Sequence, residues 1–311
     1  MTRLASFHRL LVVCLLVGWL LPTTSRAEQV DIPGTQLYTF GLHLFRLGDF
    51  YRAVTELKRF SLLFPDHQRH AAAQILIGLA LQGDGLYDDA FTHFQGVQQA
   101  AAETDVRRVA TFKLGELRFQ QEQYRQAIDH FQQFLRLFPD GALVPHTTYL
   151  LGLASALTGE SEQAERLLAS FPTSDPLAAP ALALSQALHM APTRPVKSPR
   201  TAGILAGILP GAGHLYVGKP GQAISAFLLN SLFLAGAAYA FHEGLEAVGA
   251  ILLYFETGWY LGNIRSAADG AHAFNRQQQQ TENDRLRATY APPVLTLERL
   301  QTPSLGLRIT F

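Results

Sequence analysis

The chain has 311 residues, 48% hydrophobic and 16% charged, which is enough for about two domains. Its formal charge is zero, and without the first 27 residues, which carry three Arg and no acid, 22 basic side chains face 25 acidic ones. That balance argues against a general nucleic-acid binder, which needs a basic face to neutralise phosphates. The single cysteine, Cys14, excludes a disulfide framework and a cysteine-based metal site.

Residues 1–27 read as a secretory signal peptide. Arg3 and Arg9 precede an almost wholly apolar run over 10–21, and Ser25 and Ala27 are the small residues before a cut after Ala27. An uncleaved anchor is the alternative. Val13 stands before Cys14 where a lipoprotein site wants a small residue, so a lipidated cysteine is rejected. The segment predicts export, which puts residues 28–191 outside the cytoplasm.

Residues 28–191 form the next unit. Gly41, Gly78, Gly115 and Gly152 recur every 37 residues. Alanine follows each of them at a fixed distance (Ala53, Ala90, Ala127 and Ala164), then Leu57, Phe94, Phe131 and Leu168. Small and large residues at fixed helical offsets predict four stacked helix pairs. An Ala/Leu-rich helix over 182–190 closes the array.

The first block reads Gly41, Leu44, Gly48, Phe50, Ala53, Leu57 and Pro65, and the second Gly78, Leu81, Gly85, Tyr87, Ala90 and Phe94. The third carries Gly115, Tyr124, Ala127, Phe131 and Pro139 with Glu122 at the turn, and the fourth Gly159, Ala164 and Leu168 with Ser161 where an aromatic belongs. Residues 36–172 thus resemble the tetratricopeptide repeat, although that family's usual period is about 34. The Phe-Pro-Asp ends at Phe64 and Phe138 resemble periplasmic repeat proteins of bacterial envelope assembly. The resemblance implies that the first helix of each pair lines a peptide-holding groove. Its register puts Tyr38, Leu42, Phe45, Ile75, Gln82, Phe112, Glu116, Phe119 and Tyr149 on or near that groove. Packing between neighbouring repeats is the other use for any one of them.

A basic linker over 192–200, with Pro192, Pro195 and Pro199, leads to a membrane module over 201–264. Three apolar stretches lie there, at 202–217, 223–241 and 245–264. The second and third contain no Lys or Arg, are each long enough to cross a bilayer of about 30 Å, and predict a small helical hairpin. The first is broken at Pro210 and reads as a kinked span or a re-entrant segment. Pro210, Gly211, Gly213, His214, Tyr216, Gly218 and Gly221 are similar to the signature of the two-transmembrane-helix domain family, which implies topology and no activity. The same residues imitate the front of a P-loop, but Pro220 follows Lys219 where Ser or Thr would hold magnesium, so nucleotide binding is rejected. Glu256 is the clearest ionisable residue inside the apolar stretches, with Asn230 and His214 as possible partners; the group suits an interhelical hydrogen bond, an interface position marked by Trp259 and Tyr260, or a proton path. Three spans satisfy the positive-inside rule, whereas two return the tail to the repeat side. Two spans are preferred and both stay open.

Residues 265–311 are a polar tail, helical over 265–290. Two alternating segments, 294–300 and 305–311, predict a short β-hairpin whose last strand, with Leu307, Ile309 and Phe311, resembles the terminal strand of outer-membrane barrel proteins. Strand addition onto a partner is the use it suggests. No catalytic, cofactor or metal constellation is found. The sequence therefore predicts an all-α, tetratricopeptide-like solenoid followed by a membrane hairpin and a C-terminal β-hairpin. As a function it predicts a non-enzymatic scaffold that meets membrane lipids and holds a protein partner, not nucleic acid. It would sit in the cell envelope, repeats in the periplasm and the inner membrane favoured over the outer. A membrane transport or channel component using Glu256 and the broken segment is the alternative, and nothing positive supports a membrane-bound hydrolase.

Overall fold

The 37-residue spacing resolves into helix pairs for a reason visible at each glycine. A Cβ on Gly78 would run into the Phe94 ring, one on Gly115 would lie 2.5 Å from Phe131, one on Gly41 2.8 Å from Leu57 and one on Gly152 2.9 Å from Leu168. Each large side chain fills the space that the glycine leaves, so the two helices of a pair close on one another. The computed structural model describes residues 34–141, 143–169, 171, 175–190, 195–301 and 309. Residues 1–27, read above as a signal peptide, and Pro192, Leu307 and Phe311 lie outside the described residues.

The pairs are α1 (Gly34–Arg46) with α2 (Phe50–Leu63), α3 (His70–Gly83) with α4 (Tyr87–Ala100), α5 (Thr104–Gln120) with α6 (Tyr124–Leu137), and α7 (Leu143–Thr158) with α8 (Ser161–Ala169). Successive first helices touch one another, so α1, α3, α5 and α7 make one row. The turn inside each pair needs a left-handed residue, supplied by Gly48, Gly85 and Gly159; in the third pair Glu122 takes it at φ 61°. Ala53, Ala90, Ala127 and Ala164 are fully buried where the helices cross. Helix α9 (Ala178–His189) buries Ala181, Leu184 and Leu188 and covers α8.

The second half is built on one long helix. After α10 (Pro199–Ile208), α11 (Ala212–Tyr216) and α12 (Pro220–His242) comes α13 (Glu246–Tyr290), 45 residues without a break. Ser198 caps α10 by accepting from the Thr201 N–H. Lys197 and Asn275 exchange two hydrogen bonds of 2.9 Å, and Tyr260 Oη donates to the Gly207 carbonyl at 2.9 Å. Helix α10 therefore runs antiparallel along α13. The chain reverses at Gly211, φ 90°, and α11 returns to the starting level, where Tyr216 Oη accepts from the Ser198 N–H at 3.1 Å. The broken first stretch thus folds back on itself, and its ten-residue leg is about 15 Å long.

Two features depart from the sequence reading. Among the described residues one helix, Pro220–His242, is long and apolar enough to cross a membrane. The expected second span, 245–264, is the first part of α13, whose remainder is polar. The described residues also contain no strand: 291–296 has no regular structure, and Leu297–Leu300 is a helical turn, α14. The β-hairpin is therefore unsupported. Its first segment is taken by contacts with the repeats that local alternation cannot foresee.

Candidate functional site

The row of first helices carries a buried polar cluster. Lys113 and Glu116 sit three residues apart on α5, and Gln82 faces them from α3. Lys113 is fully buried and Glu116 is 4% exposed. The Lys113 ammonium donates to Glu116 Oε2 at 2.5 Å and to Gln82 Oε1 at 3.3 Å. Gln82 Nε2 donates in turn to Gln120 Oε1 at 3.0 Å. An ammonium has three donors and a carboxylate several lone pairs, so the cluster has capacity left over.

That capacity is spent on a backbone. Lys113 Nζ donates to the Leu295 carbonyl, and the Leu295 N–H donates to Glu116 Oε1 at 2.9 Å. One buried ion pair thus clasps both polar groups of a single residue in a stretch of chain without regular structure. The stretch arrives from α13, which lies against the repeats: Asn283 Nδ2 donates to the Leu157 carbonyl at 3.1 Å, and Leu286 is buried. Arg287 pairs with Glu122, and Tyr149 Oη donates to the Tyr290 carbonyl at 2.8 Å. Burial pushes the Tyr149 phenol up to about 12, so it stays a donor across the neutral range. Helix α13 stops at Tyr290 because Pro292 and Pro293 come next but one: Ala291, the residue before a proline, is extended at φ −64°, ψ 121°. Leu295, Leu297 and Leu300 then bury in the repeat core. Beyond them a cavity of about 500 Å³ stays open between the tail and Phe45, Phe50, Leu79 and Tyr87.

The predicted groove residues divide. Gln82, Glu116 and Tyr149 bind the tail directly or through the cluster, and Phe45 lines the cavity. Tyr38 instead packs edge-on against Phe60 at 5.4 Å, and Phe112 packs on Phe131 and Phe134, so both fill the space inside helix pairs. Ile75 is fully buried, Leu42 is buried in the same core, and Phe119 abuts Tyr124 at 5.4 Å. Sequence reasoning missed Lys113, Gln120 and the three tail leucines. Lys113 was findable: it precedes Glu116 by three residues and shares its helical face.

The glycine motif of the second half is structural. A Cβ on Gly211 would collide with the Ala223 carbonyl, and one on Gly213 with the Ala202 carbonyl. Gly218 has φ 78°. His214 is buried with Nε2 3.2 Å from Ser266 Oγ, and Lys197 lies over the Tyr216 ring at 4.6 Å. Gly221 meets nothing, and Pro210 precedes the turn. A second cavity, about 610 Å³, lies beside this motif, lined among others by His214, Asn263 and Ser266. Asn230 donates to the Ala226 carbonyl of its own helix at 2.6 Å, whereas both Glu256 oxygens and the Asn263 amide are buried without a partner. Of the terminal strand residues only Ile309 is described, half-buried against the repeat core. The close histidines His67 and His70 line a third cavity with His93. Among the described residues no group of three His, Cys, Asp or Glu is placed to hold a metal.

Antiparallel helix pairs stacked so that their first helices line a peptide-holding groove define a helical-repeat domain of the binding class. Residues 38–104 and 112–179 match the tetratricopeptide-repeat family model. No curated protein matches the chain. Among solved structures, the crystal structure of the apo form of RapI is similar at a TM-score of 0.41 and 11% identity, over 80% of this chain and 87% of that one. That likeness is too slight to bear on function.

Proposed function

We propose that the protein is a membrane-anchored scaffold whose repeat groove holds an extended apolar segment of a protein partner in bacterial envelope assembly or maintenance. The observation that carries this reading is the Lys113–Glu116 clasp on the backbone of Leu295. Replacing a buried ion pair by apolar side chains is often neutral or stabilising, so the pair is poorly explained as a device for stability alone. A paired donor and acceptor set for the backbone of one residue is well explained as recognition.

Anchoring draws support from an inverted distribution of side chains. Helices α12 and α13 bury Ala223, Asn230, Ala237, Ala240, Gly249 and Glu256 and turn Leu228, Leu232, Ile251, Phe255 and Trp259 outward. Small residues inside and large apolar ones outside suit a lipid surround. Chain entry at Lys197 and exit past Asn275 lie side by side, so the apolar module leaves repeats and tail on one face, the periplasmic one if residues 1–27 direct export.

A photo-crosslinking residue at Gln120, in cells of the native host, tests the scaffold. Adducts with one or a few discrete envelope proteins are expected, lost when Lys113→Met and Glu116→Leu are combined. Adducts unaffected by that double change would contradict the reading. The transport alternative keeps one observation in its favour, the buried Glu256 and Asn263 without hydrogen-bond partners, of which Asn263 lines the second cavity. Loss of function in Glu256→Gln at unchanged abundance would favour it over the scaffold.

A further inference from the structure

The occupant of the groove is the chain's own C-terminal segment, and its manner of binding says what else fits there. The clasp reads a carbonyl and an N–H, not a side chain, so any non-proline residue in an extended strand satisfies it. Pro292 and Pro293 hold the approach extended before it binds, which lowers the ordering cost. The tail nevertheless fills the groove incompletely, since the cavity of about 500 Å³ remains between Leu297 and the Phe45, Phe50 and Tyr87 side chains.

We propose that residues 290–301 are a displaceable ligand in cis. They close the groove until a partner's extended apolar segment takes their place, clasped by Lys113 and Glu116 and sending a larger, aromatic side chain into the cavity beyond Leu297. This rests on the scaffold reading and adds its regulation and the chemistry of the partner segment. Tethering supports it physically. A segment held by α13 beside its site has an effective concentration of about a millimolar, so a free segment that binds in the micromolar range competes poorly unless it makes contacts the tail lacks. The empty cavity is where those contacts can be made.

The test uses the full-length chain in detergent and a fluorescent synthetic peptide with the sequence of residues 290–301, read by anisotropy. Leu295→Pro removes the N–H that Glu116 accepts. Leu297→Asp with Leu300→Asp expels the tail by a different route and guards against a misfolded single variant. Both are expected to bind the peptide at least about tenfold more tightly than the unaltered chain. Adding Lys113→Met and Glu116→Leu to either should abolish binding, and the peptide with Leu297→Trp should bind more tightly than its parent. Equal binding to opened and unaltered chains, or none to any of them, would overturn the proposal. So would elution of the unaltered chain as a dimer with each tail in the other's groove. The scaffold reading fails separately: discrete Gln120 adducts alongside absent peptide binding would leave a scaffold whose tail is a fixed strap, whereas absent adducts would remove the scaffold whatever the peptide does.

Discussion

At the scale of single residues, the buried charges and the glycines set the sharpest constraints. Lys113 and Glu116 are each other's main partner in a site closed to water. Removing one leaves the other unpaired, and breaking such a pair typically costs about 3–5 kcal/mol. Lys113→Met alone should therefore lower stability by about that amount in denaturant unfolding, and adding Glu116→Leu should recover most of it. Recovery failing would mean that the pair does more for stability than its setting implies. Gly115 offers a second test. Its missing Cβ is where the Phe131 ring sits, 2.5 Å away, and overpacking of that kind costs about 1–3 kcal/mol. Gly115→Ala should lose that much, while Gly96→Ala, with nothing within 4 Å, should gain slightly from helix propensity.

Titration belongs to this scale as well. Burial pushes His93, His130 and His146 below the ordinary histidine value of 6.5. His93 Nε2 lies 2.8 Å from the Gln74 carbonyl, which can only accept, so that nitrogen carries the proton of the neutral ring. As pH falls through 6.5 the unfolded chain takes up protons before the folded one does. Stability is therefore complete above that pH and declines below it, toward the depressed folded values. Thermal melts between pH 7.5 and 5.5 should show the decline, and His93→Gln should flatten it. An increase in stability on acidification would contradict the assignment.

At the scale of elements, much of the repeat half is legible in the sequence because its signal is local. Gly41, Ala53 and Leu57 meet within one helix pair, and the same offsets recur in the next three. The register puts Tyr38 and Phe112 at the groove because it marks helix and row but does not say which side of the row an aromatic faces. The tail misleads for a different reason. Leu295, Leu297 and Leu300 satisfy a strand-like alternation nearly as well as a groove occupant's spacing, and Lys113, which holds the Leu295 carbonyl, is 182 residues away. Periodicity carries no information about such a contact. The Pro292-Pro293 break after a long polar helix is the clue the sequence does hold. The glycine motif at Gly211 and Gly213 is visible as a pattern, but its purpose, a tight hairpin closed on Ala202 and packed against Ala267, depends on backbone approach that only the folded chain displays.

At the scale of the whole molecule, α13 is the connection that gives the parts their relation. One helix leaves the apolar module, lies on the fourth repeat at Leu157 and delivers the tail to the second and third. Module, repeats and tail are thus coupled through a single rod, and a partner that displaces the tail also loosens the end of that rod. Amide hydrogen exchange on the full-length chain tests the central claim, that the repeat groove holds an extended peptide by its backbone. The Leu295 amide is predicted to exchange many-fold more slowly than in a free peptide of residues 290–301, and to lose that protection when Lys113→Met and Glu116→Leu are combined. Exchange of Leu295 at the rate of the free peptide, with α5 fully protected, would contradict the account.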